Sequence, residues 1–203
     1  MNPKISTTFT SHIGIGVALG FAVSTLFGSQ VFAQASKESA NALQAFEVVR
    51  SVLQHPRCQN CHITGDAPLQ GDEGRQHGLY VKRGPKGHGA VAMECSVCHQ
   101  SQNLPGSYGK QLPPGAPNWH LPPPETKMVF KDLSPRALCL GIKNRRVTGG
   151  KDLDAMLEHM RNDKLVAWGW EPGEQRSIPQ ATRAETVTAF KTWIDAGAPC
   201  PTQ

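Results

Sequence analysis

Aromatic residues make up only 6% of this 203-residue chain, with four Trp, two Tyr and seven Phe. Charged residues are scarce as well, at 18%. A core built from so few large apolar side chains is thin for this length. No apolar run reaches the ~20 residues that a spanning helix needs. The longest, Ile13 to Phe27, is broken by Gly14, Gly16, Gly20, Ser24 and Thr25. Dense basic clustering is also missing. The net charge is +5, but the basic residues are scattered in small groups such as Lys82-Arg83, Lys86 and Arg145-Arg146. Such groups read as solvated faces, so the charge does not point to nucleic acid. What the chain has in quantity is glycine (20), proline (16) and six cysteines.

The N-terminus carries Lys4, then the apolar stretch, then Gln30-Val31-Phe32-Ala33-Gln34-Ala35. This three-part pattern predicts a secretory signal over residues 1–33, cleaved after Ala33 or Ala35; the alternative is a retained anchor. Residues 34–203 then form a single exported domain with no stable membrane span, periplasmic in location. Its net charge is about +4 once Lys4 is removed.

Two pentapeptides organise that domain: Cys58-Gln59-Asn60-Cys61-His62 and Cys95-Ser96-Val97-Cys98-His99. Thiols three positions apart lie on one side of a helical turn. They can form thioethers to the two vinyl edges of one porphyrin, and the histidine that follows lies over the ring, where its imidazole binds iron. The pair therefore predicts two covalently attached haem c groups, with His62 and His99 as proximal ligands. A four-cysteine zinc site and redox-active dithiols are the competing readings. Cys139 and Cys200 remain. In an exported chain they read as a disulfide, with free thiols or iron ligation as alternatives.

The fold expected is mainly α with long irregular Pro/Gly-rich loops, a small dihaem cytochrome c architecture. A haem-binding part covers about 38–130 and a C-terminal helical part about 131–203. Residues 38–54 carry a helical apolar stripe (Leu43, Phe46, Val49, Leu53) closed by Pro56. Residues 63–94 and 101–124 read as irregular, with at most a short strand at Leu79-Tyr80-Val81, and they are expected to pack on haem faces. Ser134-Pro135 opens a helix to about Lys143. Leu153, Met156, Leu157 and Met160 mark the next. The last helix spans about Arg183 to Ala196, burying Val187, Phe190, Trp193 and Ile194 and stopping at Gly197.

A six-coordinate iron needs a distal ligand. The favoured pair is His77 and His120, one to each iron, because both lie in loops with enough chain to cross a haem face. Met128 is the alternative to them; His55, His88 and His159 are weaker candidates, Met93 is too close to Cys95 to ligate the haem attached there, and Met156 and Met160 read as core.

Four stretches carry a family resemblance: Pro56-Arg57-Cys58-Gln59-Asn60-Cys61-His62; Gly65-Asp66-Ala67-Pro68-Leu69-Gln70-Gly71; Gly115-Ala116-Pro117-Asn118-Trp119-His120-Leu121-Pro122-Pro123-Pro124; and Trp193-Ile194-Asp195-Ala196-Gly197-Ala198-Pro199-Cys200. In these the chain resembles exported dihaem c-type cytochromes labelled isoquinoline 1-oxidoreductase subunits. The resemblance implies a redox partner protein, a dehydrogenase or molybdenum hydroxylase, and a downstream electron acceptor. The chain has no pterin or iron–sulfur ligand pattern, so it does not resemble the catalytic subunit. In plan it is also similar to the small dihaem subunit of periplasmic nitrate reductase. The expected function is electron transfer, not catalysis. A dihaem peroxidase or a gas-binding haem protein is the alternative, and each of those needs an open iron.

Overall fold

A computed structural model describes residues 20–109 and 112–203. The expected signal segment falls mostly on residues 1–19, outside the described residues. Among the described residues, no helix is long and apolar enough to cross a membrane. The chain divides between Glu38 and Ser39 into two units; apart from the first turns of the N-terminal helix, the account below concerns residues 39–203.

Helix α1 is Gly20–Leu53. It extends back well beyond the expected start at residue 38, because the helix runs on through the alanine-rich segment around Ala33 and Ala35. Its stripe of Phe46, Val49 and Leu53 is buried, as periodicity requires. Pro56 then opens a one-turn helix, α2 (Pro56–Gln59), capped by His55, whose Nδ1 accepts the Arg57 backbone N–H at 3.2 Å.

The next seventy or so residues hold almost no regular structure. Two small antiparallel hairpins punctuate them: β1 (Leu69–Gln70) with β2 (Arg75–Gln76), and β3 (Gly89–Ala90) with β4 (Met93–Glu94). The strand expected at residues 79–81 is absent. Gly78–Tyr80 is instead a one-turn 3-10 segment with Leu79 and Tyr80 at φ 58° and 54°, a conformation no strand accommodates.

Regular helices resume at α3 (Pro135–Lys143), where Ser134 accepts from the Ala137 N–H as N-cap. They continue with α4 (Leu153–Asn162), capped by Asp152, the short α5 (Lys164–Ala167), and α6 (Arg183–Asp195). A capping box between Thr182 and Glu185 starts α6. Trp168–Trp170 forms a 3-10 turn continuing α5.

The core lies where α1, α3, α4 and α6 meet, with Met128 and Phe130 inserted from the loop before α3. Trp193 is its centre, fully buried, with its ring 5.2 Å from Phe46 and 5.6 Å from Phe190, and its indole N–H on the Pro199 carbonyl at 2.8 Å. Burying each such aromatic contributes about 1.5–3 kcal/mol. On α6 the fully buried face includes Thr186, while Val187 and Ile194 are only partly covered. Thr186 tolerates burial because its hydroxyl donates to Thr182 O at 2.8 Å. Cys139 and Cys200 form a disulfide that fastens α3 to the C-terminus.

The loop half is different. Between Ile63 and Lys127, leaving aside proline and glycine, the buried apolar residues are Ile63, Cys95, Ala116 and Leu121. Its loops are held by polar clamps instead. Arg83, expected on a solvated face, is fully buried. Its guanidinium donates to the carbonyls of Gly65 (3.0 Å), Ile63 (3.3 Å) and Pro122, joining three loops that few apolar contacts could join. At Gly87, φ is 84° and a Cβ would stand 1.9 Å from the Leu121 oxygen. Only glycine permits that approach.

Candidate functional site

Both Cys-x-x-Cys-His pentapeptides fold into one helical turn. In the first, the Cys61 and His62 amides donate to Cys58 O, each at 3.2 Å. In the second, a 3-10 turn over Cys95–Val97, the Cys98 and His99 amides donate to Cys95 O at 3.2 and 2.9 Å. The His-to-first-Cys bond is the same in both. Each turn therefore presents two thiols and an imidazole in equivalent order.

None of these four thiols is in a disulfide. Cys61 lies deep in the fold yet keeps accessible surface, because it borders a cavity. Burial pushes the Cys58 thiol up to about 12 and the Cys61 thiol up to about 11. Cys95 adds a smaller upward push on Cys61, and both thiols line the same cavity. Protonated thiols of this kind are the reverse of the acidic ones that dithiol redox sites use.

The cavity, about 440 Å³, is lined by Cys61 of the first motif and by Cys95, Cys98 and His99 of the second. His77 lines it too, its ring centre 6.1 Å from that of His99. Both imidazoles have Nδ1 on a backbone carbonyl, His77 on Gly78 at 2.9 Å and His99 on Pro114 at 2.7 Å. Nδ1 donating to a carbonyl leaves Nε2 with its lone pair free, the usual tautomer of a metal-bound histidine. Behind His99, Trp119 stacks at 4.3 Å with planes 3° apart, and Trp168 meets Trp119 edge-on at 4.8 Å.

His62 lies on the other side of its motif. It stacks on Phe130 at 4.0 Å, and its Nδ1 is 2.8 Å from Met128 O. Burial holds its pKa down to about 4, so it is neutral with Nδ1 as donor. His159 of α4 is close enough to act on that ionisation, and its own Nδ1 faces the Asp163 carboxylate at 3.4 Å. His120 is half-buried. Its Nδ1 is 2.5 Å from Asn118 O, its ring is 5.1 Å from that of the exposed His88, and it also acts on His159.

The predicted residues thus separate into groups. His99 and His77 pair at the cavity with their planes tilted 59°; His120 stacks with His88; His62 packs on Phe130 and His159 lies beside Asp163; His55 belongs to a surface network with Ser177 at 3.3 Å. Met128 is buried beside Phe130, offering its carbonyl to His62. Met156 and Met160 are core. Sequence reasoning missed Arg57 and Arg176 on the cavity wall. His159, expected at the flank of the α4 stripe, is partly buried there with Asp163 beside its ring. Periodicity does not reveal that Asp163, one turn on, orients its ring.

Among the described residues, no group of three or more His, Cys, Asp or Glu side chains converges to hold a metal ion directly. A bare ion such as zinc needs such convergence. Comparison of the chain with family models, with curated proteins and with solved structures gives no match in any of the three.

Proposed function

We propose that this protein is an exported dihaem c-type cytochrome that passes single electrons from a partner oxidoreductase to a downstream acceptor. The observation that carries the reading is the pair His77 and His99 across a cavity bordered by Cys95 and Cys98. Metal–imidazole bonds of roughly 2 Å put the centres of two imidazoles on one metal about 6 Å apart, and this pair is at 6.1 Å. The exposed apolar side chains of Leu79 and Met93 at the cavity suit the face of a macrocycle.

Each haem would supply an iron that cycles between ferric and ferrous. The chain's own residues do the rest. Cys58 and Cys61, and Cys95 and Cys98, tether the two groups. His62 and His99 hold them from one side, with ring orientation set by the Met128 and Pro114 carbonyls. His77 closes the second site. His120 is the proposed sixth ligand of the first, with His159 its competitor there. Cys61 and Cys95 line one cavity, so the two attachment sites are neighbours, which favours exchange between the groups. Imidazole on both faces gives lower potentials than imidazole with thioether, suited to a low-potential donor such as a molybdenum hydroxylase.

The test is covalent haem counting on protein isolated from the periplasm, followed by carbon monoxide addition to the reduced form. The reading expects two haems per chain that survive acid acetone, and no spectral change with carbon monoxide. Complete extraction of haem by acid acetone sinks the cytochrome. A carbon monoxide adduct in the wild type would turn the reading to a peroxidase or gas-binding protein. Co-purification from the native host identifies the donor.

A further inference from the structure

One wall of the cavity is charged, and electron transfer does not by itself explain why. Arg57 and Arg176 both line it. Arg57 is 7% exposed, and its Nη2 donates to Asp72. Its Nε–H is buried and meets no acceptor among the described residues. A buried guanidinium N–H left unpaired is costly, and native sites supply an acceptor.

Arg176 stands close by. It donates to the carbonyls of Leu112 at 2.6 Å and Pro172 at 3.0 Å. Burial, and then the charge of Arg57, hold it below its ordinary pKa, while Asp72 acts the other way. Asp72 is occupied by Arg57 and by the Ser177 N–H at 3.1 Å, while Arg176 spends its hydrogen bonds on carbonyls. The other acids on the wall do not answer the need: Glu73 pairs with Arg75 at 3.3 Å, and Glu94 is exposed. At the corner formed by Arg57 and Arg176 the one carboxylate engaged is Asp72, so this corner is short of one negative charge, and the Arg57 Nε–H is short of an acceptor. A carboxylate provides both, and arginine is the side chain best suited to hold one. The remaining unpaired buried atom, Asn60 Oδ1, is an acceptor.

We propose that Arg57, through Nε and with Arg176 beside it, binds a carboxylate lying in this cavity, and that the carboxylate is a propionate of the haem attached at Cys95 and Cys98. This rests on the dihaem reading above. It adds an anion site that fixes the rotation of that group in its cavity and places positive charge beside it.

The experiment uses the full-length protein exported and matured in a host that attaches haem, with Arg57→Gln, Arg57→Lys and Arg176→Gln. Covalent haem is counted first; a wild type with none removes the cytochrome reading, and this inference with it. With two haems present, redox titration and resonance Raman spectra of the propionate bending region are compared. Loss of a cation beside the ring favours the ferric form. One midpoint potential should therefore fall in Arg57→Gln and Arg176→Gln while the other stays, the propionate band should shift, and Arg57→Lys should recover part of both changes. If Arg57→Gln fails to fold for want of its Asp72 pair, Arg176→Gln decides, since the polar partners of Arg176 are backbone carbonyls. Two haems with unchanged potentials and an unchanged propionate band in the folded variants overturn the proposal. Acetate tests the other source. If it shifts a wild-type potential saturably while the propionate band ignores the arginine variants, the site serves an external carboxylate and the assignment to propionate is wrong.

Discussion

The Nδ1 of His62 lies 2.8 Å from the carbonyl oxygen of Met128, and Met128 is a non-glycine residue held at φ 47°. The same arrangement recurs at His120, whose Nδ1 faces Asn118 O with Asn118 at φ 57°. A left-handed conformation at a bulky residue such as Met128 costs of order 1–3 kcal/mol. At both places it turns a carbonyl towards an imidazole. Fixing a ring by its Nδ1 leaves Nε2 directed and unprotonated, which is what iron ligation requires of a histidine.

Distal ligation follows from that geometry and is tested by single alanine variants. His77→Ala should make the haem at Cys95 and Cys98 high-spin and open to carbon monoxide, leaving the other low-spin. His120→Ala should do the same at the haem on Cys58 and Cys61. Electron paramagnetic resonance separates the two signals. If the first haem stays low-spin in His120→Ala but opens in His159→Ala, the ligand there is the histidine of α4.

Attachment gives the next expectation. Cys58→Ala and Cys95→Ala should each lose one thioether, and the pyridine haemochrome band of the affected haem should move to the position of a single-vinyl adduct. Equal spectra for wild type and both variants would show that neither thiol is bonded to a porphyrin.

The helical half of the protein is easier to read than the half that holds the site. Ser134-Pro135, the Leu153–Met160 stripe and Gly197 carry local signals, capping and periodicity, and the helices stand where those signals put them. Arg83 carries no such signal. Its neighbour Lys82 is exposed while Arg83 is fully buried. The difference depends on carbonyls as remote as Pro122. The same holds for the stacking of Trp119 on His99, and for Arg57 and Arg176, which come from opposite ends of the domain to one wall. The pentapeptides announce themselves because their chemistry is local. Their surroundings do not, because loops without a period converge through long-range polar contacts.

The disulfide closes a loop with a sequence separation of 61. In the loop-entropy model a link of that span contributes roughly 4 kcal/mol. Cys139→Ser with Cys200→Ser should lower the denaturant midpoint accordingly while both haem spectra stay nearly unchanged, because the bridge ties α3 to the C-terminus in the helical core. A non-reduced digest of the wild type should hold the two peptides together. Free thiols at both positions in freshly exported protein would contradict the pairing.

Trp193 gives a second stability test, independent of any cofactor. It is fully buried between Phe46 and Phe190 and donates to Pro199 O. Trp193→Ala should cost about 3–5 kcal/mol, against less than half that for Trp193→Phe, which keeps most of the packing and loses the hydrogen bond. Comparable losses from the two variants would mean that the indole N–H, and not the ring's volume, is what the core depends on.

His55 provides the pH dependence. It caps α2 by accepting the Arg57 N–H through Nδ1, and its Nε2 is 3.3 Å from the Ser177 hydroxyl. Burial, and then the Arg57 charge, lower its pKa, with Asp72 opposing. The folded protein therefore favours the neutral ring, while the unfolded chain protonates near its ordinary value of about 6.5. Stability from this group is fully present above about pH 6.5 and is lost as pH falls from there through the lower folded value. The His55→Asn variant keeps a capping acceptor and removes the titration. Between about pH 7.5 and pH 5, the denaturant midpoint of the wild type should fall further than that of His55→Asn, and the gap should open as pH drops below about 6.5. Parallel curves across that range would show that His55 titrates alike in the folded and unfolded chains, and that its burial does not matter to stability.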